Sequence, residues 1–111
     1  MNNTTQLQNL PQDVTECLQT ILNAIASGDY DLFTTVGTSS YKAGITRQMF
    51  EGVSEQLAPR MAQGYSTTYF GALKQLHYQV YLWKLSFADD GDEFVTRMTM
   101  DGDKVAGILI T

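Results

Sequence analysis

One cysteine, one histidine and seven cationic side chains in a chain of 111 residues set the first limits on what this protein does. A lone Cys17 forms no intrachain disulfide, so the sequence carries no sign of an oxidising compartment. One His and one Cys are too few for a multi-His or multi-Cys metal site. The Lys and Arg residues are scattered and the net charge is −5, which argues against a nucleic acid or an anionic membrane as partner, since either needs a basic stripe. No apolar run approaches the ~18–20 residues that cross a bilayer. The opening MNNTTQLQNL has neither a basic segment nor an apolar core of signal-peptide length, and the expected location is the cytoplasm. No G-x-G-x-x-G or Walker-type glycine loop precedes a helix, and no G-x-S-x-G elbow is present. There is no repeat, low-complexity stretch or linker. The reading is one domain over residues 10–111, preceded by a frayed Asn/Thr/Gln-rich lead-in at 1–9.

What is present divides into helices first and strands second. Leu10, Val14, Leu18, Ile21, Leu22 and Ile25 recur at three- and four-residue spacing, the apolar stripe of an amphipathic helix. Pro11 suits its first turn and Gly28 its end. Cys17 lies beside the stripe and reads as a small buried hydrophobe, because nothing near it in sequence lowers a thiol pKa. Asp29 caps a short helix to Val36, with Tyr30, Phe33 and Val36 inward. Ser40–Ile45 reads as a short strand or extended connection. Thr46 caps a third helix with Phe50, Val53 and Leu57 on one face. Pro59 predicts that this helix ends or kinks at Leu57 or Ala58.

From Tyr65 the pattern turns to β. Tyr65–Gly71 alternates polar and aromatic residues and reads as a first strand. A long strand is predicted over Leu73–Phe87, with Leu76, Tyr78, Val80 and Leu82 on one face. Its apolar parity then switches to Trp83, Leu85 and Phe87. Either a bulge near Leu82–Trp83 re-aims the side chains, or both faces are buried, one of them against a second chain. Asp89-Asp90-Gly91-Asp92 and Asp101-Gly102-Asp103 are hairpin turns by their Asp-Gly chemistry. The first of these acidic runs lacks the ligand spacing of a calcium loop. Phe94, Thr96, Met98 and Met100 alternate toward the core. The last strand, around Val105 to Ile110, is apolar on both faces, which points to a homodimer. The fold class is α+β: an antiparallel sheet of about four strands with helices on one face.

Several of these segments together resemble the nuclear transport factor 2-like superfamily. They are the helix ending in Ser27-Gly28-Asp29-Tyr30-Asp31-Leu32-Phe33, the helix opening after Ile45-Thr46, Gly64 feeding antiparallel strands, and the closing Lys104-Val105-Ala106-Gly107-Ile108. The resemblance covers roughly residues 13–111. It implies a curved, cone-shaped sheet wrapped around the first helix, a pocket at the open end, and homodimers through the outer sheet face. The superfamily includes ketosteroid isomerase-like and polyketide cyclase-like proteins, and also non-catalytic modules, so fold alone does not choose an activity.

His77 is the acid–base candidate, placed by the pattern on a strand face with Gln75, Gln79, Tyr81 and Trp83. No acid in the same strand orients its ring. Arg97 suits a ligand carboxylate, or else an acid across the strands. Tyr30, Phe33, Tyr69, Trp83 and Met98, with Tyr78 and Met100, would line an apolar pocket. No paired pocket carboxylates stand out, and no cofactor is called for. The expectation is a non-catalytic homodimer that binds a small apolar molecule or a protein partner. The alternative is a cavity enzyme of isomerase, dehydratase or cyclase type using His77 or a pocket Tyr.

Overall fold

The amphipathic stripe read from the sequence does form a helix, and it supplies much of the core. The computed structural model describes residues 10–111, so the lead-in expected at 1–9 lies outside the described residues. Helix α1 spans Gln12–Ser27 and buries Val14, Leu18, Ile21, Leu22 and Ile25. Gly28, at φ 70°, ends it in the left-handed conformation. Asp29 N–H then donates to the Ala24 carbonyl at 2.9 Å, closing a Schellman-type turn.

Three more helices follow, each opened by a side-chain oxygen. Asp29 Oδ1 accepts from Leu32 N–H at the start of α2, Tyr30–Thr34. Thr38 Oγ1 accepts from Tyr41 N–H at the start of α3, Ser39–Gly44. Thr46 Oγ1 accepts from Met49 N–H at the start of α4, Arg47–Ala62. Helix α3 replaces the strand or extended connection expected over Ser40–Ile45. Thr38-Ser39-Ser40 is a helix start, and Tyr41 pins the turn by burying its ring and donating its hydroxyl to the Phe33 carbonyl at 3.0 Å.

Helix α4 also overrides an expectation, because it passes through Pro59 instead of ending before it. A proline there removes one helical hydrogen bond. The turn beyond it is held by tertiary contacts. Met61 is buried. Arg60 lies over the Phe87 ring at 4.0 Å, pairs with Asp89 at 2.7 Å and donates to the Asp92 carbonyl at 2.8 Å. The acidic turn after Phe87 is therefore clamped to α4 as well as solvated.

The sheet is antiparallel throughout, in the order β1 (Tyr65–Gln75), β2 (Tyr78–Phe87), β3 (Phe94–Asp101) and β4 (Lys104–Ile110). The strand expected over Leu73–Phe87 is broken by a turn at Leu76-His77, with Leu76 at φ 56°. No Gly, Asn or Asp marks that turn, so local chemistry does not announce it. The parity switch has a simple cause in β2. Tyr81, Trp83, Leu85 and Phe87 face the helices and are buried, while Leu82 faces the other side. A bulge does fall where β1 pairs with Leu82–Trp83, but its extra residue is Phe70 of β1, so β2 itself alternates without a break; a second register shift falls at Ala106 in β4. The second of these puts Val105, Ile108 and Ile110 on one face. Phe94, Thr96, Met98 and Met100 point inward as their alternation requires. One core joins α1 and α4 to the inner faces of β2, β3 and β4.

Before α3 the chain runs beside β4. Val105 N–H donates to the Val36 carbonyl and Thr38 N–H to the Val105 carbonyl, each at 2.9 Å. Gly37 sits between them, and a Cβ there would lie 1.9 Å from Tyr41 Cδ2. Gly37→Ala is therefore expected to lower stability by at least ~2 kcal/mol through overpacking. Gly44→Ala, with nothing within 4 Å, should be neutral or gain up to ~1 kcal/mol; urea unfolding of the two variants checks the contrast. The Arg60 hydrogen bond, and then Gly91 N–H, hold the Asp89 carboxyl down at about 2. A lowered folded pKa means that this contribution is present above the unfolded value and is lost as pH falls through about 2. In Arg60→Ala the Asp89 midpoint should rise toward the ordinary carboxylate range, read by carboxyl NMR titration.

Candidate functional site

One concave feature of the described residues is an apolar pocket of about 180 Å³ between α4 and β4; a shallower one of about 270 Å³ lies along Gly64–Ser66 and Ser86–Ala88. Ile25 and Phe33 form the base of the apolar pocket, from α1 and α2. Met49, Phe50 and Val53 form the helical wall, and Ile108 to Ile110 the strand wall, with Ile45 from the α3–α4 link at one end. No lining side chain is polar or charged. Helix periodicity sets the first wall, because Met49, Phe50 and Val53 fall within one turn. The Ala106 bulge sets the second, since it turns both Ile108 and Ile110 inward behind Val105.

The polar groups near the pocket are engaged elsewhere. The Tyr30 hydroxyl donates to the Ile45 carbonyl at 2.5 Å. The Tyr30 ring stacks behind Phe33 at 6.2 Å and packs against Phe50 at 5.5 Å. Arg47 covers the outer side of Tyr30 and meets Asp31 at 3.5 Å. That pair is largely exposed and worth little to stability. Thr96 is the exception. It faces inward beside Ile110, is 1% exposed, and its Oγ1 has no hydrogen-bond partner among the described residues.

The structure separates the residues picked out by sequence. Phe33 lines the pocket and Tyr30 backs it. Tyr69 and Trp83 instead form an aromatic group with Tyr81, at 5.7 to 6.5 Å between rings, on the inner faces of β1 and β2. Met98 is fully buried in the core. Arg97 lies on the outer sheet face, where it donates to the Gln75 side-chain carbonyl at 2.5 Å, an amide in place of the acid expected across the strands. The bond spans β2, whose Val80 is 1% exposed although outside the main core. His77 is exposed in the β1–β2 turn against Tyr78, at 4.2 Å, and does not share a strand face with Trp83. The lining residues that sequence reading missed are Ile25, Ile45, Met49, Phe50, Val53, Ile108, Leu109 and Ile110. The two-faced apolar pattern of the last strand and the apolar helix faces carrying Ile25, Phe50 and Val53 were their visible traces.

Burial pushes the Tyr41, Tyr69 and Tyr81 phenols up, which keeps them protonated at neutral pH. Burial, followed by the nearby Asp13, pushes the Cys17 thiol up as well, away from nucleophilic character. Among the described residues no three His, Cys, Asp or Glu side chains cluster as metal ligands, and no helix is long and apolar enough to cross a membrane.

No family model and no curated protein sequence matches the chain. Among solved structures it is similar to an uncharacterized cystatin fold protein from Novosphingobium aromaticivorans, with a TM-score of 0.42 and 17% identity over 86% of this chain and 95% of that one. At that level the likeness carries no functional argument, and the α+β assignment rests on the strand pairing itself. Replacing Thr96 by the isosteric Val removes a buried hydroxyl that lacks a partner. Thr96→Val should raise stability by ~1 kcal/mol, measured by urea unfolding.

Proposed function

We propose that this chain is a non-catalytic binding protein that takes a small apolar molecule into the pocket between α4 and β4. The observation that carries the reading is the lining: nine apolar residues and no polar one around about 180 Å³. A cavity of about 150 Å³ holds benzene, so the fitting class is a single ring or a short hydrocarbon chain. The acid–base alternative needs a titratable group at such a site. His77 sits in an exposed turn between β1 and β2, and the strand wall of the pocket is β4, at the opposite edge of the sheet.

The nuclear transport factor 2-like resemblance supports the same reading, for it implies helices against a curved sheet with a pocket at the open end. That superfamily holds binding modules beside its enzymes. A cytoplasmic location, with no nucleic acid or membrane as partner, goes with this reading of the composition.

Toluene, indole and methyl hexanoate are suitable probes, followed by methyl NMR. Saturable shifts are expected at Ile25, Ile45, Val53, Ile108 and Ile110. Val53→Trp, which places an indole in the cavity, should weaken the binding at least about tenfold. Unmoved methyl signals, or a Val53→Trp variant that binds as well as the parent, would overturn the reading.

A further inference from the structure

β4 is an edge strand, and only its beginning is covered. Its Val105 N–H and carbonyl are taken by Val36 and Thr38. At the other end Thr111 exchanges both backbone bonds with Val95 of β3, each at 3.0 Å. Antiparallel pairing alternates, so Leu109, opposite Arg97, also bonds toward β3. The N–H and carbonyl groups of Ile108 and Ile110 consequently point out of the sheet, and no described residue bonds to them there. Edges of this kind are ordinarily blunted by Lys, Pro or a covering loop. Gly107 to Thr111 contains no charged side chain and no proline.

The geometry points to a second copy of this chain as the occupant, paired antiparallel along β4 about a two-fold axis at Leu109. That axis sets Ile108 opposite Ile110 of the partner subunit and Ile110 opposite the partner's Ile108. Each such pair can exchange both N–H···O bonds with no shift in register, as an isologous contact requires. Leu109 meets its own mate on the outer face. Met49 and Val53, exposed at 55% and 39% beside the edge, extend the apolar contact along α4, and Leu109 is itself 55% exposed. A stable pair buries ~800 Å² per partner, which the short edge alone does not provide and which this flanking strip enlarges. Charge selects the same surface, since a chain of net charge −5 meets its copy with least repulsion along a strip without charged side chains. The outer sheet face, expected from sequence to hold the dimer, carries Lys84, the Arg97–Gln75 bridge and the Ser86–Glu93 hydrogen bond. The edge is the better-defined surface. The partner copy would also close the rim of the apolar pocket, although the pairing stands whether or not the pocket is filled.

Sedimentation velocity of the full chain over a wide concentration range should show a reversible dimer. Leu109→Lys, at a position already more than half exposed, should raise its dissociation constant at least about tenfold while circular dichroism stays unchanged. Ile110→Pro, which deletes an edge-facing N–H and also shortens an inward side chain, should weaken the dimer as well. In a Cys17→Ser background, Leu109→Cys should cross-link with its mate under mild oxidation, because non-hydrogen-bonded pairs bring Cα atoms within disulfide reach. A parent chain that stays monomeric overturns the proposal, as does a dimer that both Leu109→Lys and Ile110→Pro leave intact. A monomer that still shifts its pocket methyls with toluene overturns this interface and leaves the binding reading standing.

Discussion

Burial of α1 against one face of the sheet is the constraint on which the other features depend. Val14, Leu18, Ile21, Leu22 and Ile25 are each buried, and at roughly 1.5–3 kcal/mol per fully buried aliphatic side chain that stripe is the largest single commitment of the helical half. A sheet that wraps a helix in this way must curve. The extra residues at Phe70 and Ala106 sit in the two edge strands, β1 and β4, where added length bends a sheet without breaking its central ladder.

Helix α4 completes the cover, and it is held at both ends by different means. At its start, Phe50 packs into the aromatic group of Tyr30, Phe33 and Tyr41. At its finish, Arg60 joins it to the β2–β3 turn through two carboxylate hydrogen bonds and a ring face. Beside the first of these anchors Met49 and Val53 stand near β4 without filling the space down to Ile25 and Ile110. The pocket is that remainder. Its apolar lining goes with the same arrangement, because the neighbouring Tyr30 hydroxyl and Ile45 carbonyl bond each other.

Much of this was legible in advance. The stripe on α1, the left-handed stop at Gly28, the caps at Asp29 and Thr46, the Asp-Gly turns and the inward set Phe94, Thr96, Met98 and Met100 are local patterns. Each depends on residues within a few positions of one another. The turn at Leu76-His77, the continuation of α4 through Pro59 and the helix at Ser39 were not legible, since distant contacts outweigh a weak or contrary local preference there. Of the candidate site residues, Phe33 lines the pocket and Tyr30 backs it, whereas Tyr69, Trp83 and Met98 belong to the core, and Arg97 and His77 lie outside it.

The amino-acid order alone determined most of the helical and extended segments and which face of each is apolar. Tertiary structure decided where apolar cover runs out. A buried and a half-exposed apolar residue look the same in a one-dimensional pattern; Val53 and Ile108 line a pocket, and Val80 is sealed, because of what other segments place over them.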